Sequence, residues 1–183
     1  GQRLDDPALM RFSARFGELD RVPIAAAGLD RANSGVVPEA AEWVAVIASV
    51  KKDGKAVGSL GSYELVWHTD MSYNPLPPRA SLLHALEVPP DGGNTGFLNM
   101  YAAYETLPNG LKRAVEGKSC IHDSSRNSAG ELRKGFQTTP DVRRTPGAVH
   151  PLVRLHPVNR RKALFLGRRP GAYIHGLSVE DSE

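Results

Sequence analysis

The tetrapeptide Trp67-His68-Thr69-Asp70 places an imidazole and a carboxylate two residues apart. In an extended strand, side chains at i and i+2 leave from the same face, so His68 and Asp70 converge while Thr69 turns away. One histidine and one carboxylate on one face supply two ligands of a 2-His-1-carboxylate facial triad. Such a triad leaves positions on Fe(II) open for a co-substrate and O2. The triplet alone also reads as a strand histidine hydrogen-bonded to a nearby aspartate. Trp67 and Thr69 read as packing residues rather than chemical ones.

A third ligand need only be distant in sequence, and His150 and His156 are candidates on that ground. His84 lies in the middle of a strand-like run, His122 opens a polar stretch and His175 sits at a strand end, so all three read as structural or solvated. Cys120 is the single cysteine; it follows a basic stretch but has no matched histidine base, and reads as inert. No acid–base dyad stands out.

The elements that must position these residues are turn-rich. The chain has 183 residues, a length expected of one domain, and is 40% hydrophobic and 23% charged, too apolar for a disordered protein. Its 18 glycines and 14 prolines exceed the usual share and favour a β-containing fold over a helical bundle. A lone cysteine rules out an internal disulfide framework. No apolar run approaches a membrane span and no signal-peptide core opens the sequence, so a cytoplasmic protein without a membrane partner is expected. Residues 1–108 carry a net charge of −4 and residues 109–183 a net +7. Six of the ten arginines of the basic half come in pairs (Arg143-Arg144, Arg160-Arg161, Arg168-Arg169) without aromatic interleaving. They read as a solvated face or an anion site, not as a nucleic-acid surface.

Asp6-Pro7 opens a helix whose Leu9, Phe12 and Phe16 share a face, with Gly17 as its stop. Residues 21–42 read as loop, and Trp43 to Val50 as a buried strand. Asp53-Gly54 predicts a hairpin turn, with Ala56 to Leu60 returning. Leu65 to Tyr73 and Ala80 to Val88 read as strands around a proline-rich turn. Asp91 to Asn94 is a turn leading into Thr95 to Leu98, and Asn99 caps a short helix through Leu107. Residues 122–147 form a long polar segment of the kind that serves as a lid, with Ser124, Arg126, Asn127 and Ser128 placed to close over a pocket. Val149 to Leu155, Lys162 to Leu166 and Ala172 to Ile174 are strands again. Ser178 with Asp181 three residues on is a capping-box signature. A helix that starts there and stops at Glu183 predicts that residues follow; the opening is equally abrupt.

In order and at matching spacing, VWHTDMSY (66–73), PPRASLLHALEVPPDGGNTGF (77–97), AAYETLP (102–108) and HPLVRLHPVNRRKALFLGRR (150–169) resemble the TauD/TfdA family of Fe(II)/2-oxoglutarate-dependent dioxygenases. The resemblance extends back through DDPALMRFSARFGELD and forward to Glu183. It implies a mainly β fold with flanking helices, a double-stranded β-helix or jelly roll. It implies a single domain over residues 1–183 that lacks N-terminal and C-terminal segments. His68 and Asp70 match the family's first two iron ligands, and Thr95 matches the threonine that hydrogen-bonds the C5 carboxylate of 2-oxoglutarate. The implied cofactors are Fe(II) and 2-oxoglutarate, the implied partners O2 and a small-molecule substrate; a homo-oligomer is left open. The implied reaction oxidises a small polar organic substrate, by hydroxylation, and releases succinate and CO2.

The family's distal histidine ligand and its 2-oxoglutarate arginine have no counterpart at matching positions. The H-P-x-x-R-x-H-P segment holding His150 and His156 matches a region upstream of that ligand. The 183 residues by themselves are therefore expected to fall short of a competent catalyst. Glu64, Met71 and Tyr73 flank the iron pair and are expected to face the substrate. Where the family's taurine-acting member has an amide, Glu64 offers a carboxylate, which repels a sulfonate and attracts an ammonium or hydroxyl group. Two rivals stand beside the dioxygenase: a non-catalytic jelly-roll binding protein that has lost the complete iron site, and a metal-dependent isomerase or epimerase on the same scaffold.

Overall fold

The computed structural model describes residues 2–22, 35–48, 50–56, 58–60, 67–127, 130–133, 135–167 and 171–183. The architecture is mainly β, with many short strands and a few short helices. The chain divides into two compact units, one of Gly1–Val66, Pro78–Glu87 and Ser128–Phe136, the other of Trp67–Pro77, Val88–Asn127 and Gln137–Glu183. No described helix is long and apolar enough to cross a membrane.

In the first unit, α1 spans Asp6–Ser13. Its N-cap is Asp5, one residue before the expected cap, and the Asp5 carboxylate accepts from the Ala8 amide at 2.7 Å. The helix stops before Gly17; Phe16 lies beyond it and packs edge-on to Phe12 at 5.4 Å. The predicted Trp43–Val50 strand shrinks to β1, Ile47–Ala48, because Trp43 closes a turn that follows the 3-10 helix Pro38–Ala40. β1 pairs in parallel with β4, Ser59–Leu60. Between them β2 (Lys51–Lys52) and β3 (Lys55–Ala56) form the expected hairpin. Asp53 and Gly54 both take positive φ, 51° and 76°, as a type I′ turn requires.

The second unit holds the more extensive sheet. α2 (Met100–Glu105) is capped by Asn99, whose side chain accepts from the amides of Tyr101 and Ala102. α3 (Asn109–Val115), absent from the sequence reading, follows with Pro108 before its first turn. β5 (Ser119–Asp123) lies between β6 (Gly147–Pro151) and β9 (Tyr173–Ile174) in an antiparallel sheet of order β6-β5-β9. β7 (Val153–Leu155) pairs with β8 (Lys162–Leu164). The chain reaches α4 (Val179–Ser182), with Ser178 Oγ accepting from the Asp181 amide at 3.0 Å as the capping box predicted.

β5 buries both faces as a central strand should, and β6 alternates, with Ala148 and His150 inward. With Leu152, Leu164, Tyr173, Cys120 and Ile121 they form the core of this unit. The sequence reading placed His122 at the start of a polar loop; it is instead a core residue of β5, 1% exposed. The lid expectation for 122–147 changes accordingly. Ser124 donates through its amide and hydroxyl to the Pro146 carbonyl, closing the base of the excursion, and Asp123 accepts from the Ser125 amide and hydroxyl in buried positions. Ser128 lies outside the described residues.

The predicted strands over 65–73, 80–88 and 95–98 join no ladder among the described residues. Leu83, Leu86, Val88 and Phe97 are exposed, so nothing in their own unit buries the apolar face that gave those runs their strand-like pattern. Leu65 and Val66 lie outside the described residues.

Candidate metal centre

Trp67 to Thr69 run without regular structure, and Asp70 enters a turn closed by the Asn74 amide donating to the Met71 carbonyl at 2.9 Å. Met71 takes φ +48°, a conformation rare outside glycine and asparagine. The convergence of His68 and Asp70 therefore comes from a turn rather than from strand pleating. It is tight: His68 Nε2 lies 3.1 Å from Asp70 Oδ1. The site is open, with the Asp70 side chain 55% exposed and that of His68 26%.

Two donor atoms about 2.1 Å from an octahedral ion, at right angles, stand about 3.0 Å apart. The contact between His68 and Asp70 is a hydrogen bond, and its length is also the spacing that two neighbouring ligands would take. A neutral imidazole and a carboxylate also suit the borderline-hard Fe(II) ion. Among the described residues, no third histidine, cysteine or carboxylate joins the pair to make a ligand group.

Thr95 is exposed and belongs to an irregular segment, yet that segment packs directly on the pair's neighbour. A Cβ on Gly96 would stand 2.8 Å from Cη2 of Trp67, so the backbone beside Thr95 lies against the indole that precedes His68. Trp67 makes that contact, yet the residue is 68% exposed and only partly fills the packing role expected of it. Met71 and Tyr73 are half-buried in the turn after Asp70; Glu64 lies outside the described residues.

The other histidines take structural positions. His150 is buried, with Nε2 at 2.9 Å from the Ser72 carbonyl and 3.0 Å from that of Asn74. His156 Nδ1 accepts from the amides of Val158 and Asn159 in the β7–β8 turn. His84 faces the Gln2 carbonyl and His175 the Ser119 hydroxyl. His122 stacks on Phe165 at 4.7 Å and meets His150 edge-on at 5.0 Å, and neither of its ring nitrogens makes a hydrogen bond of good geometry among the described residues. Burial holds its pKa down at about 4; His150 and Arg154 push the same way, and the nearby Phe165 backbone opposes them in part. Burial raises the Cys120 thiol above its ordinary range, with Gly167 and Tyr173 backbone groups partly offsetting it.

Several of the basic residues are neutralised locally. Arg143 grips Asp141 through Nε and Nη2 at 2.8 and 3.0 Å, and Arg161 Nη2 meets Glu105 at 2.6 Å. Lys162 binds Glu116, and that hydrogen bond, with one from Tyr104, holds the Glu116 carboxyl below its usual range. Arg168 and Arg169 lie outside the described residues.

The profile of the taurine catabolism dioxygenase TauD, TfdA family matches residues 1–183, and the chain belongs to that family. It is 32% identical to the alpha-ketoglutarate-dependent 2,4-dichlorophenoxyacetate dioxygenase of Cupriavidus pinatubonensis, over 99% of this chain and 62% of that one. It is 34% identical to the alpha-ketoglutarate-dependent sulfonate dioxygenase of Saccharomyces cerevisiae, over 64% of this chain and 28% of the relative. Among solved structures, AAD-2 in complex with Mn(II) and N-oxalylglycine superposes with a TM-score of 0.63 at 28% identity, over 100% of this chain and 57% of that one. The chain therefore spans less than two thirds of the length of these relatives.

Proposed function

We propose that the protein is an Fe(II)/2-oxoglutarate-dependent dioxygenase that hydroxylates a small polar organic substrate, built on the double-stranded β-helix of its family. The observation that carries this reading is the 3.1 Å separation of His68 Nε2 and Asp70 Oδ1, the spacing of neighbouring ligands on an octahedral ion. Membership of a family whose relatives depend on alpha-ketoglutarate supports the co-substrate. The structure of AAD-2 with Mn(II) and N-oxalylglycine, a molecule differing from 2-oxoglutarate by one N–H in place of a methylene, supports both metal and co-substrate.

When bound, Fe(II) would couple the oxidative decarboxylation of 2-oxoglutarate by O2, to succinate and CO2, to oxidation of a substrate C–H bond. The chain's own residues hold and orient. His68, as neutral imidazole, and Asp70, as carboxylate, hold the metal, and Asp70 cancels one of its two charges. The Thr95 hydroxyl donates to the distal carboxylate of 2-oxoglutarate, and the Trp67–Gly96 contact sets how far that hydroxyl stands from the metal pair. Met71 and Tyr73 flank the substrate space; Glu64 is a third candidate on sequence grounds, and its carboxylate would favour a substrate bearing an ammonium or hydroxyl group over a sulfonate. No third ligand stands among the described residues, so in this reading the remaining ligand and the arginine for 2-oxoglutarate come from elsewhere in the protein. Residues 1–183 then form part of one catalytic domain.

The test is succinate release by the full-length protein with Fe(II), 2-oxoglutarate and a panel of small amino and hydroxy compounds. Asp70→Ala should abolish metal-dependent 2-oxoglutarate turnover, at least about 100-fold below the parent. Undiminished turnover in that variant rejects the assignment.

A further inference from the structure

We propose that His150 is a positioning residue for the His68/Asp70 pair, acting through the turn that follows Asp70; the inference rests on the metal reading of that pair. His150 Nε2 faces two carbonyl oxygens, of Ser72 and Asn74, at 2.9 and 3.0 Å. Carbonyls only accept, so this nitrogen carries the proton and shares it between them. The carbonyl between these two, Tyr73, accepts from the Ala148 amide at 3.0 Å. Three successive carbonyls after Asp70 are therefore held from one strand, β6, twice by a side chain and once by the backbone.

The strap is anchored at both ends. His150 is 6% exposed, and its ring is fixed edge-on against His122 at 5.0 Å and Phe165 at 5.2 Å. Ser72, two residues from Asp70, is 8% exposed, whereas Asp70 itself stands open to solvent. Asp70 meets His68 at the start of this turn, so what fixes the turn's backbone also helps to fix the pair. The turn meets β6 of the β6-β5-β9 sheet through the His150 side chain and the Ala148 amide. Without this donor, two inward-facing carbonyls lose their partner and the turn is free to shift.

The experiment compares His150→Leu, which removes the donor, with His150→Gln, whose side-chain amide can reach the position of Nε2, in the full-length protein. Leu164→Ala, a core substitution that removes none of these hydrogen bonds, reports what loss of stability alone does. Two quantities are read: Mn(II) affinity, and amide hydrogen exchange of the metal-free protein. His150→Leu should weaken Mn(II) binding about 10- to 100-fold. It should speed exchange at Ser72 and Asn74 about tenfold while β7 and β8 keep the parent rates. His150→Gln should recover most of both, and Leu164→Ala should lower Tm with Mn(II) affinity intact. If the leucine variant does not fold, His150→Asn, too short to reach either carbonyl, replaces it with the same expectation. Parent-like Mn(II) affinity and exchange in the donor-less variant overturn the role of His150 alone. So does a loss of Mn(II) affinity in Leu164→Ala equal to that in His150→Leu. A parent protein that binds no Mn(II) overturns the metal reading and the positioning role together.

Discussion

Thr95 brings one hydroxyl donor, and the 2-oxoglutarate reading asks it to serve one carboxylate. A hydrogen bond to a charged acceptor contributes about 1.5–3 kcal/mol, so Thr95→Ala should raise the 2-oxoglutarate concentration for half-maximal turnover roughly 10- to 100-fold. Mn(II) affinity should stay within about twofold, because the threonine is no metal ligand. Unchanged 2-oxoglutarate dependence would reduce Thr95 to a surface residue. At this scale the sequence picked out His68 and Asp70 by their types, but the strand pleating it invoked is not what brings them together; a turn does. His150 was harder. Its contact with Ser72 spans 78 residues, and a histidine bonded to distant carbonyls has no local pattern that differs from a ligand or a core filler.

Among elements, the close approach of residues 95–96 to Trp67 gives the sharpest expectation. A Cβ at Gly96 would sit 2.8 Å from the indole, and the ring, 68% exposed, has solvent to move into. Gly96→Ala should displace Trp67, visible as a red-shifted and weakened tryptophan emission. It should raise the KM for 2-oxoglutarate more than it lowers kcat. Unaltered emission would show that the contact is loose. The elements legible in the sequence were those with local chemistry. The Asp53-Gly54 hairpin, the Asn99 cap and the Ser178 capping box each depend on neighbours within four residues. Misread were segments whose state depends on a distant partner. Ala80 to Val88 has strand composition, but a run of β-forming residues becomes a strand only where another backbone pairs with it. β5 failed in the opposite sense, since His122 and Asp123 look like loop residues until two flanking strands bury them.

For the molecule as a whole, His122 ties folding to pH. An unfolded imidazole takes up its proton near pH 6.5, whereas the buried one resists until about pH 4. Between those values the unfolded chain binds the extra proton, so stability is complete above about pH 6.5 and falls as the pH drops towards 4. At pH 5 the loss is about 2 kcal/mol relative to neutral pH. His122→Phe keeps the stack on Phe165 and removes the titrating ring nitrogens, so its urea midpoint should fall much less between pH 7 and pH 5. An equal fall in both proteins would place the acid sensitivity elsewhere. The family relationship belongs to this scale too: it was legible because four ordered motifs spread over the chain carry it. The lone cysteine has a practical consequence. Cys120 is 2% exposed and its thiol is held above the ordinary range, so the one cysteine of residues 1–183 is a poor target for maleimides and nitroxide reagents. Within residues 1–183, a cysteine introduced at an exposed position away from the metal pair, such as Val158, would then take a spin label or fluorophore in preference to Cys120.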